Sequence, residues 1–431
     1  MRDPVSEFMD YNRVFARRNP ELLRLKVARM AESPFAFFRG TFHLFARDIL
    51  NKTYEPLPLF TGTGAEVDII GDIHSENFGT FQAADGVVHY DVNDFDEVTS
   101  GRFDFDVCRL ATSHVLAAQE RKDPLADTVT AALAGVNSYT ETAHRLISKG
   151  KDGLDYNEKN PSLCPAVDDL IRTAAATKRH EVIDKLTEKQ DGRRRLRRSP
   201  HYFNLPDGER DQALRLLDDY KPRHPPLKEN HKDYYKVEDV CGRVSGVGSM
   251  SRLRYVVLLD GKGGADGRNV LIEFKESRPS SYDVYRGRDT SPEALKARAE
   301  RVALVERQSQ AATNFHVGYT IDGAMSFQAR EIGPHDSRIE AKSLKKGELA
   351  GVARVQGAVL ARVHARAAAR AIGATNPLAE LADAEVFAQR VLSFALGYAD
   401  LVRRDWTRFV GARADLDDVA AWAGRQDSPA R

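Results

Sequence analysis

The sequence predicts an α+β fold, with strands concentrated in residues 236–335 and helices toward both ends of the chain. Three observations predict it. Residues 236–335 carry the alternating, β-branched runs of strands, and from Lys345 onward the pattern is almost entirely helical. Near the other end, Glu66–Ile70 and Gly86–Val92 read as short strands, each running into a loop rich in carboxylates. A chain of 431 residues has ample core for two or three packed units.

In order, residues 1–145 open with charged, helical sequence. Ser33-Pro34-Phe35-Ala36-Phe37-Phe38-Arg39-Gly40 then reads as an aromatic turn leading into another helical pattern. The strand Glu66–Ile70 delivers Gly71 and Asp72 into a loop, the strand Gly86–Val92 delivers Asp94, and Phe105–Gln119 reads as a buried helix. Residues 146–235 are rich in charge, Pro and Asn and are expected to be a helical insertion or linker. Its run Arg193–Arg198 is expected on a solvated helix face or mobile loop, with an acidic or nucleic-acid partner as the rarer alternative. Within 236–335, a turn at Gly246-Val247-Gly248-Ser249 leads into the strand Leu253–Leu259. A turn at Gly261–Gly267 then leads into the strand Val270–Lys275, a hairpin ending in a lysine. Pro292–Ala312 reads as a helix. Residues 336–431 supply the helices Val352–Ala371 and Ala384–Val410.

Charge is balanced, with 64 Lys plus Arg against 63 Asp plus Glu, so no overall field favours nucleic acid or a membrane surface. No apolar run is long enough for a transmembrane helix, and Met1-Arg2-Asp3-Pro4 lacks the apolar core of a signal peptide. Cys108, Cys164 and Cys241 are few and far apart, which predicts reduced thiols and a cytoplasmic address. Nothing in the sequence fixes an oligomeric state.

The chemistry concentrates in Gly71-Asp72-Ile73-His74-Ser75-Glu76-Asn77 and, about twenty residues on, Asn93-Asp94-Phe95-Asp96-Glu97. An aspartate, an asparagine five positions later and a downstream aspartate in an apolar-flanked turn suit phosphoryl transfer. Asp72 can orient an attacking hydroxyl, while Asn77 and Asp94, with Asp96 assisting, can hold magnesium against nucleotide phosphates. His74 can order the loop by hydrogen bonding or titrate in the reaction. The bland alternative is that Asp72 and Asn77 cap turns. Gly-Asp-x-His also occurs in metallophosphoesterases, but the further Asp-His and Gly-Asn-His segments those need are missing. Gly246, Gly248 and Ser249 let backbone approach phosphates, and Lys275 on the following strand can pair with them. A helix-borne glutamate would hold that lysine; Glu306 is preferred over Glu300 because it lies nearer the middle of its helix.

These parts resemble those of aminoglycoside-phosphotransferase-like kinases, in rotated order. There the glycine loop, lysine strand and glutamate helix precede a Leu-His helix and a Gly-Asp-x-His-x-x-Asn loop, followed by a metal aspartate and an Asp-Leu-Ala helix start. Here the Leu-His helix matches Leu360–Ala365 and the helix start matches Asp106–Ala111. The resemblance implies a circularly permuted protein-kinase-like fold of two lobes, a small β-rich one and a large helical one completed by residues 336–431, so that both ends of the chain build it. Chain order permits this because catalysis needs positions in space. The chain also resembles the bacterial family known as domain of unknown function 2252. The shared motifs are Ser33–Gly40, Gly71–Gly79, Asn93–Glu97, Gly246–Ser249, Lys275-Glu276 and Leu360–Ala365. Departures from that family are Ser251, where a glycine is usual, and Glu306, where a glutamine is usual. The resemblances imply ATP and magnesium as cofactors and an unspecified hydroxyl acceptor, a small molecule or a protein. Asp106 is expected to steady the loop of Asp72 through backbone hydrogen bonds. Arg39 is expected in a salt bridge beside an aromatic anchor, with acceptor or phosphate contact as the alternative. A nucleotide-binding regulatory scaffold and a nucleotidyl transferase are the competing functions.

Overall fold

The computed structural model describes residues 2–50, 66–149, 154–190, 193–225, 233–261, 268–370 and 383–413, with Leu378, Leu381 and Leu416. It is a mixed α+β structure. Five helices open it: α1 (Pro4–Tyr11), α2 (Arg13–Arg18), α3 (Pro20–Met30), α4 (Pro34–Gly40) and α5 (Phe42–Leu50). Further on come α6 (Phe103–Glu120), α7 (Leu125–Lys149), α8 (Pro165–Ala176), α9 (Arg179–Leu186) and α10 (Asp207–Tyr220). The last four are α11 (Ser281–Tyr285), α12 (Pro292–Ser309), α13 (Glu348–Arg370) and α14 (Ala384–Gly411).

The helical core forms around α6, whose sequence is apolar on almost every face. Even its polar residues Asp106, Arg109, Thr112, Ser113 and His114 are buried. A helix buried all round must find partners for such groups, and those partners build the site described below. α7 and α13 cross at two glycines. A Cβ on Gly357 would lie 2.0 Å from the Gly135 carbonyl oxygen, so glycine is required for the backbones to approach this closely.

A six-stranded antiparallel sheet carries the second core. Its strands are β8 (Tyr202–Phe203), β9 (Val237–Arg243), β10 (Arg254–Leu259), β11 (Val270–Ser277), β12 (Gly318–Asp322) and β13 (Met325–Glu331), in the order β12-β13-β11-β10-β9-β8. The period of two sends Tyr255, Val257, Ile272 and Phe274 into one core and Val256, Leu258 and Leu271 into another on the opposite face. Helix α12 lies between β11 and β12 in the chain, and the hairpin register places Arg254 opposite Lys275. A smaller sheet, β14-β2-β3-β5, joins β2 (Phe78–Gln82) and β3 (Val88–Val92) to β5 (Tyr156–Asn157) and β14 (Ser337–Arg338). β1 (Val67–Ile69) pairs with β4 (Thr99–Gly101).

Several expectations differ from what forms. Ser33–Gly40 is not a turn: Ser33 caps α4, its Oγ accepting from the Ala36 amide, and Pro34 sits in the first turn, where its missing N–H costs nothing. The arginine run lies on neither a helix nor a loose loop at its start. Arg193–Leu196 is strand β7, paired with β6 (Thr187–Gln190), and Arg194 and Arg198 are bound by Asp184 and Asp239. The charged middle of the chain is built into both sheets: β5 pairs with β3, β8 with β9, and α10 packs Leu216, Leu217 and Tyr220 against the larger sheet. Its strands are too short for a period-two pattern to show. The helix begun at Pro292 ends at Ser309, because Gln310 leaves the helical conformation to donate to the Val92 carbonyl. Residues 262–267 of the expected turn and Ala371 lie outside the described residues. Among the described residues, no helix is long and apolar enough to cross a membrane.

Candidate active site

The loop after β1 is held from below by α6. Asp106, fully buried in the first turn of α6, accepts the Ile70 amide at 2.7 Å and the Gly71 amide at 2.9 Å. Its remaining contact is His364 Nε2 of α13 at 3.1 Å, and His364 Nδ1 meets the Tyr139 hydroxyl at 2.9 Å. Gly71 has φ +81°, and a Cβ there would fall 2.6 Å from the Glu97 carbonyl. Only glycine lets the two carboxylate loops pass so closely. The loop ends in a short 3-10 turn, Ser75–Asn77, capped by His74. His74 Nδ1 accepts the Glu76 amide at 3.2 Å, and burial beside Arg39 and Arg109 holds its ring neutral, with its pKa well below the ordinary histidine value. Its hydrogen bonding orders the loop. Gln356 of α13 donates to the Ser75 carbonyl at 2.7 Å across a separation of 281 residues. Two helices far apart in the chain, α6 and α13, thus fix this loop.

Asp72 emerges with a fifth of its side chain exposed (19%) and is anchored by Arg109, which is wholly buried. Arg109 Nε donates to Asp72 Oδ1 at 3.0 Å, Nη2 donates to the same oxygen and to the Phe38 carbonyl, and the guanidinium lies 4.0 Å from the Phe38 ring centre. Burial pushes the Asp72 pKa up to about 7 against the pull of Arg109. Asn77 Nδ2 donates to the Asp72 carbonyl at 2.7 Å, which leaves its Oδ1 as the acceptor end of the amide.

The second loop faces the sheet. Lys275 of β11 pairs with Asp96 and lies 3.4 Å from Asp94 Oδ1. Asp96 is fully committed, since Gln328 donates to Oδ1 at 3.1 Å while Oδ2 also lies 3.6 Å from Arg252. Asp94 keeps 37% of its side chain exposed. Glu306 forms no ion pair with Lys275 among the described residues; burial pushes its pKa up to about 7, and it lines a small cavity with Lys275 and Asp94. The glycine turn between β9 and β10 leans over Asp72: Gly246 has φ +68°, and a Cβ on Gly248 would stand 3.5 Å from Asp72 Oδ2. Ser249 belongs to the same turn, and its side chain lies outside the described residues.

One cavity of about 140 Å³ is lined by Asp72, His74, Asn77, Asp94, Asp96, Gly246 and Gly248. A second, of about 590 Å³, shares Asn93, Ser245, Arg330 and Arg338 with the first. Its other walls include Phe81, Arg243, Glu306 and the segment Ile332-Gly333-Pro334 that follows β13. Arg243, Arg254 and Arg330 surround the wholly buried Glu273, whose carboxyl they hold far below the usual range against its burial. Arg39 forms a 2.5 Å salt bridge with Glu76, lies 5.6 Å from the Phe35 ring centre, and also lines the first cavity.

Sequence reasoning did not find Arg109, Arg252, Glu273, Arg330 or Lys26. The signal for Arg109 was available: an arginine three residues after Asp106 in an otherwise apolar helix needs a buried partner. Among the described residues, no cluster of three His, Cys, Asp or Glu side chains stands ready for a metal ion. Asn77 Oδ1 and the partly exposed Asp94 carboxylate are oxygen donors of the kind magnesium takes, and both residues line the first cavity; that ion ordinarily draws most of its ligands from water and phosphates. No curated protein and no solved structure shows detectable similarity to the chain. A family described as an uncharacterized protein conserved in bacteria, DUF2252, matches residues 18–412, and the chain belongs to it.

Proposed function

We propose that the protein is an ATP- and magnesium-dependent phosphotransferase acting on a hydroxyl acceptor, built on a circularly permuted, kinase-like two-lobed fold. One observation carries the reading. Asp72, Asn77, Asp94 and the glycine turn converge on one cavity, which shares Asn93, Ser245, Arg330 and Arg338 with a second of nucleotide size. The element order supports the fold: glycine turn, Lys275 on a strand, then helix α12. The permutation is supported by α13, which lies late in the chain yet braces the loop of Asp72 through Gln356 and His364.

The base and ribose of ATP would occupy the larger cavity, and the phosphates would lie under the Gly246–Gly248 turn beside Arg254 and Arg330. Lys275 would turn to them from a small cavity that shares Asn93, Asp94 and Arg330 with the first. Asn77 Oδ1 and Asp94 would hold magnesium, which would supply positive charge to the β- and γ-phosphates. Without nucleotide, Lys275 neutralises Asp94 and Asp96, and the incoming phosphates are its alternative partners. Asp72 would accept the hydroxyl hydrogen bond of the acceptor and orient it in line. As the acceptor oxygen–phosphorus bond forms, the bond from phosphorus to the bridging oxygen breaks and its electron pair leaves on ADP. The hydroxyl proton passes to Asp72, whose raised pKa suits that role near neutral pH. Arg109 fixes the direction of the carboxylate.

Calorimetry with ATP and magnesium tests the proposal. Wild type and Asp72→Asn should bind nucleotide in a magnesium-dependent way, and Asp94→Ala should lose that dependence. A folded wild-type protein that fails to bind would exclude the reading.

A further inference from the structure

One wall of the first cavity is not shared with the second. Tyr11, Lys26, Phe42 and His43, from α1, α3 and α5, line it there and take no part in the larger cavity. Lys26 is 2% exposed. Its ammonium lies 5.8 Å from the Phe8 ring centre and has no ion pair among the described residues. A buried ammonium with no ion-pair partner is costly, so folding alone gives no reason to keep one facing a cavity. Every carboxylate along this wall already has its own cation: Asp72 has Arg109, Glu76 has Arg39, and Glu97 has Arg252 at 2.8 Å. Glu97 also accepts the Ser281 amide at 2.7 Å. Lys26 is the charge left over.

A second group points the same way. His43 is 2% exposed, its ring stacks on Tyr11 at 4.1 Å, and its Nε2 has no hydrogen-bond partner among the described residues. Burial and the neighbouring Lys26, Arg2 and Arg109 hold the ring neutral, so it can offer a single N–H donor. The Tyr11 hydroxyl, 2.9 Å from Ser281 Oγ, adds a polar edge.

We infer that the Lys26–His43 end of the cavity is an anion subsite, and that the hydroxyl acceptor carries a carboxylate or phosphate ester that docks there. This rests on the phosphotransferase reading for the word acceptor, but the anion subsite stands on Lys26 and His43 alone. The subsite fixes the acceptor by its charged end and presents its hydroxyl to Asp72. Cationic acceptors are disfavoured by Lys26, Arg39 and Arg252.

Bromide is the direct probe, because it reports a buried cation whatever the natural acceptor is. Crystals soaked in sodium bromide should show an anomalous peak at Lys26 in wild type and none there in Lys26→Met. A wild-type crystal with no such peak overturns the subsite. Lys26→Met should fold at least as well as wild type, since it removes an uncompensated charge, and should bind ATP with magnesium as wild type does. A loss of nucleotide affinity would instead make Lys26 a nucleotide phosphate ligand and overturn the acceptor assignment. Thermal shifts with D-glycerate, glycerol 3-phosphate and glycerol identify the anionic group. The larger shift with glycerate or with glycerol 3-phosphate names carboxylate or phosphate, with affinity falling at least tenfold in Lys26→Met. Equal shifts with glycerol, no shift with any of the three, or shifts that survive Lys26→Met overturn the acceptor assignment. Failure of nucleotide binding in wild type would remove the phosphotransferase reading while leaving the bromide result to stand or fall by itself.

Discussion

Replacing Asp106 by asparagine separates the support of the loop from its chemistry. Asp106 is wholly buried and takes two backbone amides, at 2.7 and 2.9 Å, together with His364 Nε2 at 3.1 Å. Asparagine keeps one acceptor oxygen. Its NH2 group must then face either the Gly71 amide or the Ile70 amide together with His364 Nε2, donor against donor. One stranded buried donor costs about 1–3 kcal/mol, and weakening a charge-assisted bond to a neutral one costs about 1 kcal/mol more. The sum is about 2–4 kcal/mol, concentrated on Ile70 and Gly71 and therefore on the backbone that aims Asp72. Hydrogen exchange followed by mass spectrometry reads this locally. The amides of Ile70 and Gly71 should exchange roughly 30- to 900-fold faster in Asp106→Asn, while those of β10 and β11 keep their protection. Equal protection in wild type and variant would refute the idea that Asp106 holds the loop.

Two further outcomes follow from single contacts. Gly357→Ala drives a Cβ to 2.0 Å from the Gly135 carbonyl oxygen, an atom of another helix backbone that cannot swing aside. The α7–α13 crossing must open, at a cost of about 3 kcal/mol, and urea denaturation should show the loss. Lys26 has its pKa lowered to about 8, by burial first and then by Arg252 and Arg278, with Asp72 and Glu97 opposing. The ammonium is therefore present below that value and lost as pH rises through it. Bromide or hydroxy-acid affinity should be flat below about pH 8 and fall above it; affinity that persists well past pH 8 would point to another cation.

Legibility differed by element for physical reasons. β10 and β11 were plain in the sequence as continuous apolar, β-branched runs buried on both faces, and α14 because it buries one face at the helical period. The two carboxylate loops were plain because Gly71, Asp72, Asn77 and Asp94 are chemically unusual neighbours for apolar strands. Residues 146–235 were not, since strands of two to four residues carry no readable period, and β5 and β8 pair with partners far along the chain. The site showed the same divide. Local spacing indicated Asp72, Asn77 and Asp94, whereas Arg109, Glu273 and Lys26 matter only through partners brought close by folding. Lys275 lay on the expected strand, but its partners in the structure are Asp94 and Asp96, not Glu306. Which carboxylate faces a lysine is a property of packing and is not written in spacing.

A crystal structure with magnesium and a non-hydrolysable ATP analogue tests the central claim most directly. The account predicts the base in the 590 Å³ cavity beside Ile332 and Phe81, and the phosphates beneath Gly246 and Gly248. It also predicts magnesium on Asn77 and Asp94, with the terminal phosphate directed toward Asp72. Nucleotide bound elsewhere on the molecule, or a cleft without nucleotide at saturating concentration, would contradict it.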